Sequence, residues 1–209
     1  MKVPFTIDQF FNVFENYNTK IFPFQLLILL LGLIVLVFVH QKKSSKNILI
    51  GGFLGLLWIW TGAVYHLMFF TAINKPAFVF GGLFILQGLL FLLNTFSNSK
   101  IEYGFGEKAK DYLGYFFILF GLIIYPIIGY VVEGSASRII SLGLPCPSTI
   151  FTFGFLMLAT NKVPKYLLIS PFLWSLIGLS AAINFGVIQD YMLIISAIVA
   201  GIFLFRKKL

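Results

Sequence analysis

Residues 139–160 read IISLGLPCPSTIFTFGFLMLAT. At about 1.5 Å per residue the run is long enough, as a helix, to cross a hydrocarbon core of roughly 30 Å. Two prolines interrupt it around Cys146, the single cysteine of the chain. Pro147 cannot donate to the carbonyl of Gly143, nor Pro145 to that of Ser141, and each proline turns its predecessor away from helical geometry. The spacing therefore predicts a helix break inside the bilayer, where freed carbonyls must meet protein or water. Counting the run as a span sets the number of crossings for the whole chain.

Outward from it, six further apolar runs lie near residues 22–39, 47–70, 77–96, 112–132, 166–184 and 187–205. The chain is 59% hydrophobic and 11% charged, with a mean hydropathy of +0.98, which excludes a soluble domain. The expected fold is all-α: a polytopic membrane protein of seven transmembrane helices forming one domain over residues 21–209. Residues 1–20 form a separate extracytoplasmic amphipathic segment. Within it Thr6 and Gln9 match a capping box, and Ile7, Phe10, Phe11, Phe14 and Tyr17 recur at helical spacing over 6–17. That helix is too short and polar to span, so it lies in the interface or against the outer mouth, as an anchor or a lid. The start lacks the pattern of a cleaved signal, so the first apolar run is expected to be retained.

Lysine and arginine set the orientation. One set of alternate connections carries Lys42, Lys43, Lys46, Lys100, Lys108, Lys110, Lys162, Lys165, Arg206, Lys207 and Lys208, and the other only Lys2, Lys20, Lys75 and Arg138. The positive-inside rule then puts the N-terminus outside and the C-terminus in the cytoplasm, which needs an odd number of spans. The same clustering accounts for the formal charge of +8 without a nucleic-acid partner.

Polar residues gather toward the outer half. Tyr65 and His66 end the second span, Tyr125 and Glu133 the fourth, and Asn184 the sixth. Cys146 lies about two turns into the fifth, Asp190 opens the seventh, and Gln87 sits mid-way along the third. Polar groups in lipid are costly, so these are expected to line an outward-facing pocket or to bond across helices. Cys146 could take a soft metal such as Cu(I) or Hg(II) with His66, Met68 or Met192, against a plain role as a small filler at a kink. His66 would act by pairing with Glu133 or Asp190; Glu133 otherwise pairs with Arg138 in a loop. Asp190 is either a pocket acid or an N-terminal acid favoured by the helix dipole. Two histidines are too few for a membrane zinc hydrolase, and no nucleotide loop or Gly-x-Ser-x-Gly motif is present, so an enzyme is disfavoured and no cofactor is expected.

The run 60–70 (WTGAVYHLMFF), with Ile73-Asn74-Lys75-Pro76-Ala77, Gln87-Gly88 and residues 143–152 (GLPCPSTIFT), resembles an uncharacterised bacterial family of multi-pass membrane proteins. The resemblance covers most of the chain from Pro23 onward and implies a bacterial inner membrane, with no activity attached. The functional expectation is binding or translocation of a small solute or ion through the outer pocket. The alternatives are a non-transporting receptor or assembly protein holding a lipid, a hydrophobic molecule or a partner helix, and soft-metal handling at the Pro-Cys-Pro break.

Overall fold

A computed structural model describes residues 4–205. Lys2 and the cluster Arg206, Lys207 and Lys208, counted above for orientation, lie outside the described residues. The order is α1 (Ile7–Ile21), α2 (Phe24–Phe38), α3 (Ser45–Trp60) prolonged by a π-helical stretch Thr61–Phe69, and α4 (Ala77–Thr95). It continues with α5 (Ala109–Leu119), a π stretch Phe120–Ile124, α6 (Tyr125–Glu133), α7 (Pro145–Met157), α8 (Tyr166–Phe185) and α9 (Tyr191–Phe205).

Five helical segments are long and apolar enough to cross a membrane: Ser45–Ala72, Ala77–Thr95, Ala109–Glu133, Tyr166–Phe185 and Ile188–Phe205. The pair α1 and α2 would qualify together, but it bends by 86° between them. Leu30, Val37, Leu93, Ile169, Leu176 and Ile202 are each more than half exposed, so the outer surface of the bundle is aliphatic. Such a surface is stable against lipid chains and would be an aggregation liability in water.

Glycines bring helices together. A methyl group on Gly88 would stand 2.5 Å from the carbonyl oxygen of Gly55, and one on Gly62 2.7 Å from that of Gly81, so α3 and α4 touch backbone to backbone. Gly114 and Gly154 do the same for α5 and α7. Such small-residue crossings let dispersion contacts and backbone dipoles act at close range where no hydrophobic effect operates.

The stretch 139–160 corrects the expectation of a helix broken in its outer half. Residues 139–144 are non-helical and the helix begins at Pro145, so both prolines sit in its first turn. Proline is tolerated there because first-turn N–H groups have no partner in the helix. With Ser148 N–H bonded to the Leu144 carbonyl, Cys146 carries the one first-turn donor without an intrahelical acceptor. The preceding carbonyls are also accounted for: Ser141 accepts from the Leu144 N–H at 3.0 Å. Gly143 accepts from Tyr17 Oη at 3.3 Å and from Thr61 Oγ1 at 3.2 Å. Every residue of α7 except Cys146 is buried, which makes it the central helix, with Phe151, Phe153 and Phe155 at 0% exposure. At its far end Lys110 Nζ donates to the Met157 and Ala159 carbonyls at 2.8 and 2.7 Å, a cation placed at the negative end of the helix dipole.

Pro171 lies inside α8 and leaves the Leu167 carbonyl without its helical donor. Gln87 Nε2 supplies one at 2.9 Å from α4. Pro126, in the first turn of α6, follows the π stretch, whose wider turn absorbs the missing donor.

Candidate functional site

The amphipathic helix α1 packs against the protein at the end opposite the Lys42, Lys100 and Lys162 connections. Its capping box, Thr6 with Gln9, is present. Phe10, Phe11, Val13, Phe14, Tyr17, Asn18 and Ile21 are buried. Three contacts hold it. Asn18 Nδ2 donates to the carbonyls of Ser137 and Ile139 at 2.8 and 2.7 Å. Arg138 reaches Glu15 at 3.1 Å and Asn12 at 2.9 Å, and Tyr17 bonds Gly143 while accepting from Trp60 Nε1 at 2.8 Å. The helix is thus packed on the protein, over the end of the helix that carries Trp60 and the non-helical residues that carry Gly143.

Beneath it lies a cavity of about 220 Å³. Phe5, Phe10 and Phe14 form its roof and Tyr65, Phe70, Phe80 and Phe185 its walls; Cys146, Trp174, Gly178 and Asp190 line it too, as do the polar Asn74 and Ser180. The rings make a connected shell: Phe10 and Phe185 stack at 4.4 Å between centroids, Tyr65 and Phe70 at 5.5 Å, and Phe80 meets Trp174 edge-on at 5.5 Å.

One polar patch interrupts these rings. Asp190 is 1% exposed and accepts a hydrogen bond from the Tyr125 hydroxyl. The Cys146 thiol lies beside both groups. Gly178 leaves room for it: a methyl there would meet Cys146 Sγ at 3.5 Å and Trp174 Nε1 at 3.3 Å. The Trp174 indole N–H is buried, lies next to the thiol and makes no hydrogen bond. Asp190 belongs to the turn before α9. The 15 residues of α9 rise about 22 Å against about 30 Å for the 20 of α8, so the 186–190 turn carries the carboxyl inward from the α8 terminus.

The structure brings together Tyr65, Cys146 and Asp190 at the cavity, with the Tyr125 hydroxyl behind it. Four expected members are elsewhere. Gln87 is the donor to the carbonyl freed by Pro171, a structural task. Asn184 is exposed and bonds the Ser180 carbonyl one turn back at 2.7 Å. Glu133 ends α6 outside the cavity, and its expected partner Arg138 pairs with Glu15 instead. His66 is fully buried in a ring of Tyr65, Phe70, Phe80, Phe84 and Trp174, and neither ring nitrogen meets a hydrogen-bond partner, so it joins neither Glu133 nor Asp190. Among the described residues no three of His, Cys, Asp and Glu converge as metal ligands, and Met68 is 69% exposed. Sequence reasoning missed the phenylalanines of α1, Phe80 and Trp174. The helical spacing of Phe10 and Phe14 was the available signal for the roof.

Comparison with known proteins adds one match. Residues 7–209 fit the sequence profile of a family described as "Family of unknown function (DUF6064)". Neither a curated protein nor a solved structure matches the chain.

Proposed function

The chain belongs to the DUF6064 family, which carries no assigned activity, and from that premise we propose that it is a membrane protein whose cavity beneath α1 binds a small solute. The observation that carries this is the composition of that space: a buried carboxyl, a thiol and an unpaired indole N–H gathered in a room lined mainly by aromatic and aliphatic side chains. Buried polar groups cost free energy unless they are paired, and a cavity that keeps them open to one another favours a ligand that completes them.

On this reading the chain crosses the membrane seven times, with α1 and the cavity outside and the basic connections in the cytoplasm. The fifth crossing combines α7, about 20 Å long, with the non-helical residues 139–144 that precede it and turn at Gly143. The resemblance to bacterial multi-pass proteins makes the inner membrane the setting. Binding without translocation is favoured over transport, because the space below the cavity is filled by Phe151, Phe153 and Phe155 of α7. Passage would require this central helix to move.

The single cysteine provides the test. A membrane-impermeant maleimide applied to intact cells is expected to label Cys146 slowly in the native chain and several-fold faster in Asn18→Ala, which loosens α1. Absence of labelling in both proteins would mean a packed, dry core and would overturn the assignment.

A further inference from the structure

We propose that the ligand is an organic cation, an alkylammonium whose head rests against Asp190 and the faces of Tyr65 and Trp174 while its apolar part lies among the phenylalanines. This inference rests on the cavity being a ligand site. Three observations carry it.

Among the described residues Asp190 is the one carboxyl on the cavity wall, and no lysine, arginine or histidine lines it. Among the described residues the ion pairs are Lys110 with Asp111 and Arg138 with Glu15, so Asp190 has no protein counter-charge. Its protein donor is the Tyr125 hydroxyl, which a neutral side chain supplies. An ionised carboxylate at this depth calls for a positive partner, and an anionic ligand would be repelled by it with nothing to offset the repulsion.

The surrounding shell has the chemistry that attracts a cation. Tyr65, Phe70, Phe80, Trp174 and Phe185 line the cavity, aromatic rings carry negative faces, and cations held within about 6 Å of such faces are stabilised most where water is excluded. Aromatic cages are a general solution for binding quaternary ammonium groups, which offer no N–H donors and a greasy periphery, and an acid beside the cage also accepts from the N–H groups of a primary ammonium. A cavity of about 220 Å³ suits a ligand of a few heavy atoms, below the roughly 300–1,000 Å³ of drug-sized sites.

The charge distribution agrees. Among the described residues, Lys20, Lys75 and Arg138 at the cavity end are matched by Asp8, Glu15, Glu133 and Asp190, and the basic excess lies in the connections at the opposite end. The mouth therefore presents no net positive field to turn a cation away.

The ammonium group is shared by soluble amines and by zwitterionic lipid headgroups, so the test uses full-length protein in phosphatidylglycerol nanodiscs, free of both. Choline and n-butylammonium are titrated beside their neutral isosteres 3,3-dimethyl-1-butanol and 1-butanol, with protection of Cys146 from maleimide as readout. At least one cation is expected to protect about tenfold more tightly than its isostere. Asp190→Asn should erase that difference while leaving the weaker protection by the alcohol, which shows that the variant is folded. Trp174→Leu should reduce cation protection several-fold more than alcohol protection. Adding phosphatidylethanolamine to the discs separates the sources: loss of n-butylammonium protection identifies a headgroup ligand, and its persistence a soluble amine. Alcohols protecting as well as cations, with Asp190→Asn without effect, would overturn the cation assignment and leave the pocket standing. If none of the four probes protects a thiol that maleimide reaches, both fall.

Discussion

Asn18 carries more of the α1 docking than its neighbours, because one amide group donates to two carbonyls, that of Ser137 in the 3-10 turn Ala136–Arg138 and that of Ile139 just after it. Asn18→Ala should strand both and cost about 1–3 kcal/mol, read as a lower thermal midpoint in detergent. Arg138→Ala, which removes a half-exposed pair, should cost less than about 1 kcal/mol in the same assay. At this scale the sequence identified Tyr65, Cys146 and Asp190 as cavity residues, since an acid, a thiol and a phenol at matched depth in apolar spans stand out. It misplaced Gln87 and Asn184 because depth alone does not say which way a side chain points around its helix. Gln87 faces α8 and Asn184 faces outward, and no polarity pattern separates those directions from the pocket. Trp174 and Phe80 went unnoticed for the converse reason: aromatic residues are everywhere in this chain, so their convergence leaves no local mark.

Two prolines in helices illustrate how elements repair one another. If Gln87 exists to satisfy the Leu167 carbonyl, Gln87→Leu should destabilise the protein by about 0.5–1.5 kcal/mol. Pro171→Ala restores the backbone donor and should make Gln87→Leu nearly neutral, a coupling that a double-mutant cycle on thermal stability would measure. Additive effects would sink this account. For α3 and α4, Gly88→Leu should prevent the close crossing, since even its first carbon would intrude on the Gly55 carbonyl, and the yield of monodisperse protein should fall sharply. The positions of the long helices were readable from apolar run length, to within a few residues. The fifth was not. Prolines in a continuous apolar run suggest an interrupted helix, whereas α7 uses them to start, and the difference lies in contacts from α1 and Thr61 that no local rule encodes.

Across the whole molecule, the aliphatic exterior and the one-sided distribution of lysines were plain in the sequence, because lipid and its charged surface act on composition directly. The docking of α1 was the part least open to such reading, since an amphipathic helix suits a membrane surface and a protein groove equally well. That docking has a consequence for biogenesis. Asn18 is separated from its two acceptors by 119 and 121 residues, and Tyr17 from Gly143 by 126. The helix emerges from the ribosome long before the segment that holds it exists, so its aromatic face has no native partner on that segment while four further long helices are made. Docking of α1 is therefore a late event in assembly that waits for residues 137–143, and the cavity beneath it is complete only when Trp174, Phe185 and Asp190 follow. Nascent chains ending after α6 should leave residues 7–21 open to added protease, and chains extended past α7 should protect them. The roof is thus anchored before the walls at Trp174, Phe185 and Asp190 are made, so a ligand finds its site only once the last two helices have joined.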